Sequence, residues 1–211
     1  MVSLHPLFNA IKSIRTNFFV SNHTSKSNFT LKLVNEIGRY LNEIGVLTNF
    51  EPLIFVELFE ETKSVTIEQG KNSVGLLNIQ ERLIQDAIRD SLREKRATSI
   101  SERKHDTPLE IADLEHFVLR IKGCPHSFAC VVKGFQSIKH QTVTWEDVSH
   151  QITKSYQGTF PDYVLLVLAK NPTDGLITNL TNYSKSVGNP NLIILCDPVD
   201  LARFLKARNL I

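Results

Sequence analysis

The chain has 211 residues, a formal net charge of +2 at pH 7, 42% hydrophobic residues and 22% charged residues. These values are ordinary for a globular protein, and the length suffices for one substantial domain or two small ones. The small net charge excludes a general attraction to polyanions, so any DNA-binding surface must come from a local concentration of basic residues. Three cysteines, an odd number, argue against a disulfide framework.

The sequence carries no signal for a membrane or for export. No apolar run reaches the length of a membrane-spanning helix, and the N-terminus lacks the apolar core and cleavage site of a signal peptide. We therefore expect a cytoplasmic protein that does not enter a membrane.

The N-terminal region is set apart from the rest by its pattern. Residues 5–19 predict a short amphipathic helix that docks on the domain or on a second copy, so a homodimer is one of the expected states. The polar, turn-rich segment that follows predicts a linker. We therefore predict an N-terminal helix and linker over residues 1–28 and a single domain over 29–211, with its core at 74–211.

The first part of the domain shows alternating helix and strand patterns. Apolar residues at helical spacing predict helices, and short β-branched or aromatic runs between turn residues predict strands. In chain order the pattern predicts a helix over 30–44, one or two strands over 46–61, a short strand over 64–68, a long helix over 74–95 and a polar loop over 97–108.

Two strand-like runs follow, LEIADLEHFVLRIKG and SFACVVKGF, joined at a Cys-Pro-His-Ser loop. Residues two apart on a strand share a face, so we expect Asp113 and Glu115 on one side of the first run. Simple antiparallel pairing about the loop places Lys133 opposite Phe117. The predicted hairpin therefore brings Lys133 to the same face as the two acids.

The segment TWEDVSHQITKSYQ after the hairpin predicts a helix. Trp145, Val148 and Ile152 form an apolar stripe at 3.6-residue spacing. Gln151 lies on the flank of this stripe, four residues after Asp147 and therefore beside it. The sequence thus predicts a helix that packs on the domain and carries acidic and amide side chains along one edge.

The C-terminal part repeats a strand, helix and strand order. DYVLLVLAK and NLIILCDP are nearly continuous apolar runs, as in strands buried on both faces, and a helical segment separates them. Such units favour parallel pairing with a right-handed crossover. A final amphipathic helix, DLARFLKARNL, is expected to cover one face of the sheet.

Acids in the first hairpin strand, Lys133 at the end of the second, and Gln151 and Tyr156 on the next helix resemble the core of the PD-(D/E)XK, or restriction-endonuclease-like, nuclease superfamily. The resemblance implies an α/β fold whose mixed central sheet joins an antiparallel hairpin to parallel strands and is flanked by helices. It also implies a metal-dependent nuclease that hydrolyses phosphodiester bonds of DNA.

The resemblance implies a role for each matching residue. Asp113, with Glu115 as the alternative, would bind Mg²⁺ or Mn²⁺, since hard divalent cations prefer carboxylate oxygens. Lys133 would stabilise the attacking water or the phosphate, and Gln151 would position the site. The structural alternative for Lys133 is a strand-end lysine that extends its ammonium from the core into water.

The chain departs from the superfamily pattern at Val131, where a metal-binding Glu or Asp is expected two residues before the lysine. Glu146 or Asp147 on the following helix is predicted to supply the missing carboxylate. The alternative is that the site has lost its hydrolytic activity. The protein then keeps the fold and acts as a nucleic-acid-binding or assembly module. Asp147 also suits a simpler role as a helix-capping acid, and an upstream helical glutamate, Glu81 or Glu36, is either a further site acid or an ordinary surface residue.

Overall fold

The computed structural model describes residues 27–45, 53–72, 74–101, 114–121 and 123–211. The predicted N-terminal helix at 5–19 lies outside these ranges. Within them, no helix combines the length and apolar character needed to cross a bilayer.

Seven helices and five strands are described, and two 3₁₀ turns, Glu60–Ser64 and Val74–Leu77, connect some of them. In chain order the elements are α1 (Asn28–Glu43), α2 (Phe55–Leu58), α3 (Ile67–Lys71), α4 (Glu81–Glu94), β1 (Thr98–Ser101), β2 (Leu114–Ile121), β3 (Cys124–Lys133), α5 (Trp145–Thr159), β4 (Tyr163–Leu168), α6 (Asp174–Ser186), β5 (Ile193–Cys196) and α7 (Pro198–Ala207).

The strands form one sheet in the order β1-β2-β3-β4-β5. The β1–β2 and β2–β3 pairs are antiparallel, whereas β3–β4 and β4–β5 are parallel. Helices α5 and α6 are the crossovers between the parallel strands, which need a long connection to return to the same edge. The predicted fold class is confirmed: a mixed sheet, with an antiparallel hairpin followed by parallel strands, is flanked by helices.

The sheet is buried on both faces. The first core lies between one face and α2, α4 and α7, and its sheet residues include Phe128, Cys130 and Val132. The second core lies between the other face and α1, α5 and α6, and its sheet residues include Val131 and Leu166. This explains why the parallel strands read as continuous apolar runs, since every position on β4 is buried.

The predicted hairpin register is wrong. Phe117 lies opposite Phe128, not opposite Lys133, and the two rings stack with centroids 5.0 Å apart. Ile121 and Cys124 are partners, so the chain turns between them, and Gly123 supports this tight turn with φ of 83°. The predicted Cys-Pro-His-Ser loop is therefore part of β3.

The strands predicted over 46–61 and 64–68 are also wrong from Leu53 onward. Phe55–Leu58 forms one helical turn, a 3₁₀ turn follows, and Ile67–Lys71 is a short helix. Thr66 caps that helix, since its hydroxyl accepts from the Gln69 N–H at 3.3 Å. Periodicity cannot separate strand from buried helix in apolar runs this short, and packing decides the conformation.

The loop predicted over 97–108 contains an unexpected strand. Thr98–Ser101 forms β1 and pairs with β2 at the edge of the sheet. Its polar composition, TSIS, gives no alternating hydrophobic pattern, so only pairing with β2 identifies it.

Candidate functional site

Lys133 ends β3 and belongs to the sheet face of the second core. Side chains alternate along a strand, so Lys133 lies on the same face as Val131, and its parallel partner Leu168 is in the second core. Val131 is fully buried, whereas Lys133 is half-buried. Within the part of the chain that the structure describes, Lys133 makes no ion pair and no side-chain hydrogen bond. The strand therefore places an unpaired ammonium group at its C-terminal end, in the middle of the sheet.

Helix α5 covers this face of the sheet. It begins after the loop that follows β3, and β4 then starts at the opposite end of β3, so α5 runs back along the strands. Val148 and Ile152 pack in the second core with Val131. Gln151 is only 8% exposed, and its side-chain oxygen has no hydrogen-bond partner among the described residues. A buried amide oxygen without a partner is costly, so it marks this position as a candidate ligand contact.

The two acids predicted on α5 differ in their environment. The Asp147 carboxylate accepts from the Thr144 backbone N–H at 2.8 Å and from the Thr144 hydroxyl at 3.0 Å. Asp147 therefore caps the first turn of the helix, as the helix-capping alternative predicted. Glu146 is exposed, and the described residues offer its carboxylate no partner.

The acids predicted on β2 are not placed by the structure. Asp113 lies outside the described residues, and Glu115 belongs to β2 without a described side chain. The β2–β3 register shifts between Leu114 and Phe117, so Glu115 lies in an irregular part of the strand. The proximity of Asp113 or Glu115 to Lys133 therefore stays a prediction.

Glu81 is brought to the end of β3 from the start of α4. Its carboxylate accepts from the backbone N–H of Gly134, the residue after Lys133, at 2.7 Å. Gly134 suits this close approach, since a Cβ there would lie 2.9 Å from the Glu81 Cβ. The other upstream candidate, Glu36, instead pairs with Arg39 on α1 at 2.6 Å. Only the tertiary contact distinguishes the two glutamates, because both occur in amphipathic helices.

The surroundings of Tyr156 indicate a structural role. It is 9% exposed, and its hydroxyl donates a long hydrogen bond of 3.5 Å to the Val187 carbonyl. Burial raises the pKa of this hydroxyl, so it stays neutral and does not provide an anion.

The described residues place an ammonium group and a carboxylate at the C-terminal end of β3, through Lys133 and Glu81, and a buried amide, Gln151, on the helix that covers the Lys133 face. Among them, no three His, Cys, Asp or Glu side chains form a cluster that could hold a metal ion. This partial set can bind a phosphate oxygen through Lys133 and orient a neighbouring group through Gln151.

No protein-family model matches the sequence, and no curated protein matches it. Among solved structures, the chain is similar to the DNA modification-dependent restriction endonuclease AspBHI, with 14% identity and a TM-score of 0.32. The match covers 90% of this chain and 39% of that chain, so the present sequence spans about two fifths of the endonuclease. The fold assignment rests on the strand order and directions, not on this partial match.

Proposed function

We propose that the chain is a metal-dependent deoxyribonuclease that hydrolyses DNA phosphodiester bonds at the end of β3. The observation that supports this most is that the Lys133 ammonium and the Gln151 side-chain oxygen have no partner among the described residues, and that Lys133 lies on the sheet face that α5 covers. Lys133 lies at the carboxyl end of a strand in the parallel part of the sheet, and ligands of open α/β sheets bind at such ends.

The proposed site gives each residue a separate task. Asp113 or Glu115 would hold Mg²⁺ or Mn²⁺, and Glu81, Glu146 or Asp147 would supply the acid that Val131 replaces. One or two carboxylates suffice for Mg²⁺ when water and phosphate oxygens complete the coordination, so this donor set fits the ion.

The bound ion would lower the pKa of a water and polarise the phosphate. Lys133 would offset the charge that develops on the phosphate oxygens, and Gln151 would orient the site.

The alternative function is a nucleic-acid-binding or assembly module without hydrolysis. The buried Val131 favours it, because this position lies inside the apolar second core and cannot hold an acid without a rearrangement.

A cleavage assay separates the two functions. We expect the wild-type chain to cut single-stranded, duplex or branched DNA with Mg²⁺ or Mn²⁺ and to stop in EDTA. Lys133→Met should lower the rate by about 100-fold or more, as does loss of other groups that stabilise transition-state charge. The control is Lys71→Met, since Lys71 is an exposed lysine paired with Glu68 on α3.

The same assay also identifies the acid. Glu81→Gln should lower cleavage if Glu81 replaces the acid lost at Val131, whereas Glu36→Gln should leave it unchanged. Full activity of Lys133→Met would contradict the proposed roles. DNA binding without cleavage under any metal condition would support the alternative.

A further inference from the structure

The loop between β3 and α5, residues 134–144, has an unusual division between its two sides. Ile138 and Val143 are buried in the second core. The other side chains in the middle of the loop are polar and exposed, and they are Gln136, Ser137, Lys139, His140, Gln141 and Thr142. The loop therefore carries exposed polar side chains that start three residues after Lys133.

Backbone contacts fix both ends of this loop. At its start, the Gly134 N–H donates to Glu81, and at its end Val143 bridges to the segment after β4. The Val143 N–H donates to the Asn171 carbonyl at 2.9 Å, and the Val143 carbonyl accepts from the Thr173 N–H at 3.0 Å. An ordered loop loses little entropy when it binds a ligand.

Lys170 holds the middle of the loop from its buried side. It is 9% exposed, and its ammonium donates to the carbonyls of Ile138 at 2.6 Å and His140 at 2.8 Å. The same nitrogen lies 4.3 Å from the centre of the Phe135 ring. No carboxylate among the described residues pairs with Lys170. The two carbonyls and the ring face stabilise the ammonium without cancelling its net charge, so a positive charge lies beneath the loop.

The inward carbonyls determine where the next amides point. In a trans peptide the C=O of one residue and the N–H of the next point in opposite directions. The N–H groups of Lys139 and Gln141 therefore point away from Lys170, and neither makes a hydrogen bond with the described residues. The outer side of the loop combines two unused amide donors with the Lys139 side chain.

We propose that residues 134–144 form a contact surface for the phosphate backbone of duplex DNA. This inference rests on the proposed function and adds the surface that holds DNA beside Lys133. Backbone amides, a lysine and a buried positive charge are the groups that bind phosphate oxygens and set the register of a duplex without reading its sequence. The nearly neutral chain as a whole offers no such attraction, so a local surface is required.

Binding without metal tests this surface separately from cleavage. We would titrate the full chain into a fluorescein-labelled 20-base-pair duplex in EDTA and follow anisotropy at several salt concentrations. The double variant Lys139→Ala, His140→Ala should raise Kd by about 10-fold and reduce the slope of log K against log salt by about 1, which corresponds to one phosphate contact. The control Lys71→Ala should change Kd less than twofold.

Trp145 provides a second readout, because it is the only tryptophan of the chain and begins α5 directly after the loop. Its fluorescence should change when the wild type binds the duplex, and the change should need about 10-fold more of the double variant.

The outcomes distinguish this inference from the proposed function. A double variant that binds within twofold of the wild type overturns the inference and leaves the nuclease intact. Wild-type binding that depends on the loop, without any cleavage, keeps the inference and overturns the nuclease. Absence of binding by the wild type, or tighter binding of an RNA duplex of the same sequence, overturns the assignment to DNA.

Discussion

The polar groups at the two ends of the β3–β4 strand pair differ in their hydrogen-bond partners. At the N-terminal end, Asp162 accepts from the Ser127 N–H at 2.9 Å and from the Ser127 hydroxyl at 3.0 Å, and Asn189 donates to the Asp162 carbonyl at 2.8 Å. At the C-terminal end, Lys133 has no described partner, and on α5, which covers this face, the Gln151 side-chain oxygen has none either.

The difference separates stability from function. Polar groups that satisfy one another hold the fold together, whereas polar groups left unsatisfied reduce stability unless a ligand completes them. Ligands of open α/β sheets bind at the carboxyl ends of the strands. The closed cluster at the other end is therefore expected to control stability, and the open C-terminal end is expected to control activity.

The largest effect on stability should come from Asp162→Ala at the closed end. The change leaves the Ser127 N–H without its charged acceptor, and the Asp162 side chain is only 16% exposed. We expect the free energy of unfolding to fall by about 2 to 4 kcal/mol, from urea denaturation followed by circular dichroism. The matched control is Asp174→Ala, whose side chain is 80% exposed and should matter little. Equal effects of the two variants would break the comparison.

Sequence patterns predicted the parts of the fold that depend on burial alone. The runs that became β4 and β5 are apolar at every position, and the stripe of Val148 and Ile152 on α5 marks the buried side of that helix, so each was identified correctly. The hairpin register was wrong because Pro125 suggested a turn. Pro125 lies in β3 before Phe128, where β4 first pairs, so its missing N–H costs nothing on that edge.

The site was harder to predict because its partners are distant in sequence. Glu81 reaches Gly134 only after α4 packs on the sheet, and no local pattern distinguishes it from Glu36. The buried Lys170 belonged to a strand pattern that gave no sign of its loop contacts. Asp147 could be predicted as a cap because capping depends on neighbours three residues apart.

A second closed cluster sharpens the comparison because it lies at the C-terminal end of a strand. After β5, buried Asp200 accepts from Arg203 at 3.0 Å and from the Thr30 hydroxyl at 3.2 Å. Burial, followed by the nearby charge of Asp197, raises the pKa of Asp200 from 3.8 to about 6, although Arg203 opposes the shift. The C-terminal end of a strand therefore does not by itself leave a carboxylate unpaired, since Asp200 is paired here.

The raised pKa predicts a pH-dependent stability. Between pH 3.8 and about 6 the folded chain holds a proton on Asp200 that the unfolded chain releases. This contribution is complete below pH 3.8 and is lost as the pH rises through about 6, so stability should fall by on the order of 1 to 3 kcal/mol. Urea denaturation of wild type and Asp200→Asn at several pH values measures the difference. Identical pH profiles, with the exposed-acid variant Asp90→Asn as control, would contradict the assignment.

The smallest effect on stability, and the sharpest contrast, is expected from Gln151→Leu on α5. Leucine has a similar size and removes a buried amide oxygen that lacks a described partner. The free energy of unfolding should therefore rise by about 1 kcal/mol. Cleavage should fall at least about 10-fold if this amide orients the site, while duplex binding in EDTA stays within twofold because the loop is untouched. A variant that loses stability instead would mean that Gln151 is satisfied within the folded chain. The buried amide on α5 would then be as well satisfied as the Asp162 cluster, and it would no longer point to a ligand.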